Sequence, residues 1–366
     1  MTKKRILFIT PLPPPVHGSA MVSQYIKDCK ELQEKFECDF VNLSTSRNID
    51  EIGKKSLMKY IRFIGAYFIT FWKLLTHRYT LCYLAVTCHG MGFLKDAPFV
   101  LLCKLFRRKI VIHQHNKGMS NCVGKQPYKW LLPLVYKNIK VILLSWHLYS
   151  DIEMVVKKEQ VVICPNGIPE LFDEEPQFER NNEVPHLLFL SNLIPSKGVY
   201  VLLDACKILK DKEYRFVCDF VGGESKEITS GVFENATNER GISEYVVYHG
   251  PKYSEDKVAF FSNADIFVQP TLNDCFPLTL LEGMQYQLPI VSTFEGAVPD
   301  IVTDGENGFV CEREDAVGTA TAIETLIKNK EIRIRMGKSG YKTFKEKFSL
   351  DVFNRNITRI LSEVIG

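Results

Sequence analysis

The sequence predicts an α/β protein of two doubly wound, Rossmann-like domains facing across a cleft. Three observations lead there. Short β-branched and aromatic runs alternate with helical patterns along almost the whole chain. These runs fall into two series, separated by a polar stretch rich in Pro, Asn and acid. At 366 residues and 46% hydrophobic content, there is enough apolar material for two packed cores.

The first series of strand candidates is RILFIT, ECDFVNL, YTLCYLAV, KIVIHQH, KVILLS and QVVICP; the second is HLLFLSN, YRFVCDFVG, YVVYHG, ADIFVQP, LPIVST and NGFVCE. Between them lies PNGIPELFDEEPQFERNNEVP, whose composition suits a linker. The expected division is 1–168 for an N-terminal domain, 169–185 for the linker and 186–347 for a C-terminal domain, with 348–366 a helix packing back on the N-terminal domain. In such sheets ligands bind beyond the carboxyl ends of the strands, so the residues just after each strand are the candidates for chemistry.

The net charge of +3 conceals an asymmetry. Between residues 52 and 150, Asp96 is the sole acid against 16 Lys and Arg, a balance of +15 that leaves −12 for the remainder. A body this basic points to an anionic partner: phosphate, lipid headgroup or nucleic acid. The 11 scattered cysteines show no C-x-x-C pair or zinc-ligand spacing, as expected of reduced thiols in a cytoplasmic protein. The start MTKKRILFIT is too short in apolar residues for a signal peptide and reads as a first strand.

The segment LMKYIRFIGAYFITFWKLLT is about the length of a bilayer span, but Lys59, Arg62 and Lys73 interrupt it. At helical spacing Lys55, Lys59, Arg62, Ala66, Ile69 and Lys73 form one stripe, with apolar and aromatic residues around the rest of the circumference. Two readings stay open. In one, Lys55, Lys59, Arg62 and Lys73 face an anionic membrane surface and make the protein peripheral on the membrane's inner face. In the other, they are the solvated face of an ordinary helix packed on its sheet.

The strongest chemical signal is NDCFPLTLLEGMQYQLPIVSTFEGAVPDIVTDGENGF. Asp274 falls in the loop after strand ADIFVQP, and Glu282 eight positions on falls within the next helix, with Pro277 suited to its first turn. The amides at that helix start, around Leu278 and Thr279, form an anion site for a diphosphate. The two carboxylates can accept hydrogen bonds from sugar and ribose hydroxyls.

This segment resembles the diagnostic region of retaining GT-B glycosyltransferases, especially the large bacterial family 4, with D-x7-E where that family carries E-x7-E and F-P-L where it often has F-G-L. FLSNLIPSKGVYVLLDA resembles the family's first C-domain strand and loop, and PNGIPELF its motif closing the N-domain. The resemblance implies that Lys197 is the cation on the donor diphosphate, that Glu282 meets the ribose and that Asp274 meets the donor sugar hydroxyls. Asn192 stands where the family usually has an Arg, and can donate hydrogen bonds without bringing charge. In TPLPPPVHGSAMVSQYI, Gly18 matches the family's cleft-lining glycine loop, with Ser19 in place of its frequent second glycine. His113 and His115 end a strand on the same side at period two, and His115 corresponds to the cleft histidine that contacts the transferring sugar.

The activity implied is retaining transfer of a sugar from a UDP- or GDP-sugar to a saccharide or lipid-linked acceptor, in bacterial surface polysaccharide biosynthesis. His115, Lys197 and Asp274 are the residues closest to its chemistry. With no G-x-G-x-x-G and no Asp-x-Asp, neither a dinucleotide cofactor nor a required metal is expected. Three competing readings remain. They are a non-catalytic sugar-nucleotide or polyanion-binding module on the same fold, a sugar-nucleotide epimerase, and a nucleic-acid binder, for which no recognised motif speaks.

Overall fold

The structure, a computed structural model, describes residues 3–15, 17–44, 57–252 and 255–366. It divides into two compact units: Met1–Gly167 with Leu350–Gly366, and Ile168–Ser349. In the first, strands β1 (Arg5–Thr10), β2 (Glu37–Asn42), β3 (Leu81–Ala85), β4 (Lys109–His113), β5 (Lys140–Leu143) and β6 (Val161–Ile163) are joined through α1 (Gly18–Asp28), α2 (Lys30–Lys35), α3 (Leu57–Thr76), α4 (Gly90–Leu105) and α5 (Tyr128–Tyr136). The second carries β7 (His186–Leu190), β8 (Val217–Val221), β9 (Val246–Tyr248), β10 (Ile266–Gln269), β11 (Ile290–Thr293) and β12 (Gly308–Cys311). Its helices are α6 (Val199–Asp211), α7 (Ser230–Glu239), α8 (Glu255–Asn263), α9 (Leu278–Gln285), α10 (Val298–Ile301), α11 (Ala316–Lys328) and α12 (Lys330–Thr343). Helix α13 (Leu350–Ile365) ends the chain and packs in the first unit.

Both sheets are parallel, with strand orders β2-β1-β3-β4-β5-β6 and β12-β11-β10-β7-β8-β9. Each order reverses once, between β1 and β3 in the first sheet and between β7 and β10 in the second. At those points successive connections leave to opposite faces, and a crevice opens at the strands' carboxyl ends.

Helices cover each sheet on both faces, so the strands read as continuous apolar runs. In β1, Ile6 and Phe8 face Val22 and Ile26 of α1, while Leu7 and Ile9 face the cluster that holds Phe93 and Phe99 of α4. The α13 residues Phe353, Ile357, Ile360, Leu361 and Ile365 recur at helical spacing and join the α1 side of this core. The last carbonyls of α13, at Val364 and Ile365, accept from the Lys109 ammonium at 3.0 Å each, a cation placed where the helix dipole favours one.

The stretch 169–185, expected as a linker, is instead packed on the second unit. Gln285 is buried, receives the Leu171 amide and donates to the Pro169 carbonyl. Phe172 and Phe178 set their rings on Tyr286 at 5.3 and 5.5 Å. Two phenylalanines outweigh the polar composition around them, since each buries a large apolar area.

Helix α3 reverses the expected polarity of its faces. Lys55 lies outside the described residues; of the rest of its stripe Lys59, Arg62, Ala66 and Lys73 turn inward, and Ile69 stays exposed. Ala66, Thr70 and Leu74 are buried, and Lys73 donates to Asp39 of β2 at 2.7 Å. Lys59 and Arg62 are half-buried on the same side. Phe63 and Tyr67 meet Phe99 edge-on at 5.5 Å. The surface left to solvent is the apolar one. The physical cause is that Asp39 offers a carboxylate to the inner face, while the long Lys and Arg stems lie along apolar surface with their heads at the rim.

Truncation of the α13 stripe tests this packing. All three tryptophans, Trp72, Trp130 and Trp146, lie in the first unit, so intrinsic fluorescence follows its unfolding alone. Phe353→Ala is expected to cost about 3–5 kcal/mol in urea titrations read by fluorescence. A cost under about 1 kcal/mol would mean that α13 contributes little to that core.

Candidate functional site

The β7/β10 crevice of the second unit gathers most of the sequence candidates. After β7 the chain makes a short turn, Pro195–Lys197, and passes through Gly198 into α6. Gly198 has φ of 84°, and a Cβ there would stand 1.9 Å from the Pro270 carbonyl oxygen, so only glycine lets this loop approach the end of β10. The Ser196 carbonyl accepts from the amides of Leu272 and Asn273 at 2.8 and 3.1 Å, pinning the loops after β7 and β10 together. The Lys197 ammonium consequently meets the Asp274 carboxylate in a partly buried ion pair.

Asp274 is held from behind as well. Its amide donates to Glu295 Oε1 at 3.1 Å, and Arg313 meets Glu295 Oε2 at 3.2 Å. Glu295 is buried, and Gly296 next to it takes φ of 53° because a Cβ would lie 2.1 Å from the Asp274 carbonyl oxygen. Helix α9 starts at Leu278 after Pro277, which supplies no side-chain cap. The first-turn amides, Leu278 and Thr279 among them, have no intrahelical acceptor. The Thr279 hydroxyl donates to Gln269 Oε1 at 2.6 Å and ties this turn to β10. One turn further along α9, Glu282 receives the Lys257 ammonium at 2.9 Å on both oxygens.

Asn192, expected to donate to the donor from this loop, also has a structural role. Its Oδ1 accepts the Gly223 amide at 2.9 Å and fastens the loop after β7 to the loop after β8. The sequence reading also missed Glu295, Arg313 and Lys257. Glu295 and its glycine lie inside the segment singled out, but only folding brings them to Asp274. Lys257 carries no local signal, since its partner is 25 residues away on another helix.

The first unit has its own concavity at the β1/β3 crevice, a cavity of about 520 Å³ lined by His17, Ser19, Ser44, Thr87, Lys95 and His115 among others. Gly18 begins α1 here, behind the N-cap His17, whose Nδ1 accepts from the Ala20 amide at 3.4 Å. His115 lies two residues past β4. Its ring rests 4.0 Å from that of His113, which is fully buried and meets Tyr83. The Nε2 of His115 is buried without a hydrogen-bond partner. Burial, and then nearby His17, bring the His115 imidazolium down to about 4, and burial lowers His17 as well. Both rings are therefore neutral near pH 7, able to donate or accept a single hydrogen bond at each nitrogen. A larger cavity, about 790 Å³, lies by Lys109 and Lys140 at the amino ends of β4 and β5, away from the crevice.

Residues 172–343, nearly all of the second unit, match the family model of Glycosyl transferases group 1. An uncharacterised glycosyltransferase of Methanocaldococcus jannaschii is 26% identical over 225 residues, covering 62% of this chain and 60% of that protein. The capsular polysaccharide biosynthesis glycosyltransferase CapM of Staphylococcus aureus is 27% identical over 170 residues, 45% of this chain and 42% of CapM. The matches thus span 60% or less of the length of these relatives. Among solved structures, Anabaena HepE in complex with UDP and glucose superposes with a TM-score of 0.72 at 15% identity, over 98% of this chain and 99% of that one. The fold is the GT-B fold of glycosyltransferases, with two parallel six-stranded sheets and their helices.

The histidines make the first unit sensitive to acid. His115 titrates lower in the folded chain than in the unfolded one, where about 6.5 is usual, so the unfolded state binds more protons between those values. The contribution of His115 to stability is complete above about pH 6.5 and is lost as pH falls towards 4. Urea midpoints followed by tryptophan fluorescence are expected to fall over that window, and His115→Gln to remove on the order of 1–3 kcal/mol of the loss. An identical pH slope in the variant would contradict this assignment.

Proposed function

We propose that this chain is a retaining glycosyltransferase of the family 4 type, moving a sugar from a UDP- or GDP-sugar to a hydroxyl of a saccharide or lipid-linked acceptor, in surface polysaccharide assembly. The observation that carries the reading is the β7/β10 crevice, where Lys197, Asp274, the start of α9 and Glu282 converge at the switch point of a doubly wound sheet. The match of the second unit to group 1 glycosyltransferases and the UDP and glucose bound by HepE support it. CapM, by its name a capsular polysaccharide enzyme, supports the polysaccharide role.

On this reading the donor diphosphate lies against Lys197 and the first-turn amides of α9, which favour negative charge. Asp274, released from Lys197, accepts from the sugar hydroxyls, and Glu282, released from Lys257, accepts from the ribose. In the reaction the bond from C1 of the sugar to the phosphate oxygen breaks while the acceptor oxygen bonds to C1 on the same face. The acceptor proton passes to the departing phosphate oxygen. The protein's part is to position the reactants and to stabilise charge growing on that phosphate, and Lys197 is the cation built for it. The neutral His115 meets the transferring sugar, and the cavity beside it receives the acceptor. Glu295 and Arg313 act behind Asp274, fixing where its carboxylate points.

A screen of UDP- and GDP-sugars by thermal shift tests donor binding, since a ligand at a hundredfold its Kd adds about 2.7 kcal/mol to the state it binds. Lys197→Ala and Glu282→Ala are each expected to weaken the donor by roughly one to two orders of magnitude, from the 1.5–3 kcal/mol of a lost charged hydrogen bond. Unchanged affinity in both variants would remove the site, and donor binding with neither transfer nor hydrolysis would leave a non-catalytic module.

His115→Ala is expected to lower turnover more than nucleotide affinity, because it meets the sugar and lies in the other unit. Equal losses in single-turnover rate and in UDP affinity would refute that role.

A further inference from the structure

Helix α3 presents to solvent a face that its own unit does not use. Leu57, Ile61, Ile64, Phe68, Trp72 and Leu75 recur at spacings of three and four, so they form one strip along the outer side of a helix about 30 Å long. Phe68 is 65% and Trp72 64% exposed, although both are among the largest apolar side chains in the protein. The inner side holds Ala66, Thr70, Leu74 and the Lys73–Asp39 pair. An apolar strip this long on the outside of a packed helix is not explained by the fold.

The surroundings of the strip decide what covers it. Helices α3, α4 and α5 contribute to one cluster on the same face of the first sheet, so they form a single layer. That layer exposes further apolar groups at Leu105, Trp130 and Leu134. Its charge is of one sign: Lys95, Arg107, Lys125, Lys129 and Lys137 are exposed, and the single acid between residues 57 and 150, Asp96, is buried. A second copy on this face would bring cations against cations and find no carboxylate to answer them. A bilayer with anionic headgroups satisfies both features at once, with acyl chains for the strip and lipid phosphates for the cations. Among the described residues no helix is long and apolar enough to cross a membrane, so the fitting geometry is a helix lying in the interface.

We propose that the outer face of α3 inserts into the surface of an anionic lipid bilayer, with the apolar strip embedded and the cations of the α4 and α5 region on the headgroups. In the membrane reading left open from sequence, Lys55, Lys59, Arg62 and Lys73 faced the lipid; here the apolar side of the helix does. The contact needs a bilayer only, and stands or falls independently of sugar transfer.

The test is flotation of the full chain with vesicles of equimolar phosphatidylglycerol and phosphatidylcholine, beside vesicles of phosphatidylcholine alone, at low and high salt. The wild type is expected to float with the anionic vesicles and to show a blue-shifted tryptophan emission, with binding weakened but not abolished by salt. The triple variant Ile64→Ser, Phe68→Ser, Trp72→Ser changes exposed positions and is expected to keep its melting temperature while its vesicle partition drops more than about tenfold. Lys73→Gln, on the inner face, is expected to partition within about twofold of wild type. Absence of wild-type binding, or unchanged partition in the triple variant, would overturn the proposal. So would light scattering that shows a dimer in solution which the triple variant dissolves, since the strip would then belong to a second copy.

Discussion

A parallel sheet covered on both faces has no strand side chain to spare for a ligand, and the arrangement of both units follows from that constraint. Ile6, Leu7, Phe8 and Ile9 are all buried, alternately to one face and the other, so β1 carries no polar group between its ends except at Thr10. Polar chemistry is driven to the loops, and the reversal of strand order chooses which loops can meet. In the second unit these are the loops after β7 and β10, brought into contact through the Ser196 carbonyl and the close approach of Gly198 to Pro270. In the first they are the loops after β1 and β3, around the cavity that His115 lines.

Within that frame three acids around the crevice of the second unit are matched to cations: Asp274 to Lys197, Glu282 to Lys257, and buried Glu295 to Arg313. In the Lys197–Asp274 and Lys257–Glu282 pairs both partners keep partial access to solvent, so these two pairs cost little to exchange. On the proposed function, a diphosphate would replace Asp274 as the anion on Lys197, and sugar hydroxyls would donate to the carboxylates in return. The crevice of the first unit differs: burial brings His115 down to about 4 and lowers His17, so two uncharged rings stand there beside Lys95.

Helix α3 shows how one carboxylate sets the orientation of an amphipathic element. Its circumference offers a basic stripe and an apolar remainder, and burying the larger apolar side would normally win. Asp39 and Tyr79, with the Tyr79 hydroxyl donating to Asp39 at 2.8 Å, create a polar socket at the edge strand that Lys73 completes. Phe63, Tyr67 and Phe71 then supply enough aromatic contact with α4 and the following Phe106 to hold the helix, and the rest of its apolar surface is left outside.

The sequence by itself determined the twelve strands among the described residues, because each is a short β-branched or aromatic run that a local pattern reveals without knowledge of its neighbours. It also determined the loop after β10 and the start of α9, since Pro277, the following helical run and the spacing from Asp274 to Glu282 are local properties. Tertiary structure alone decided what the polar groups touch. Asn192 went to the Gly223 amide, Glu295 and Lys257 became partners of the site from 21 and 25 residues away, and the stretch 169–185 packed on the second unit through Phe172 and Phe178. It decided the facing of α3 for the same reason. Periodicity fixes which residues share a side of a helix, whereas the side that turns inward depends on a carboxylate 34 residues earlier in the chain, and no local pattern contains that partner.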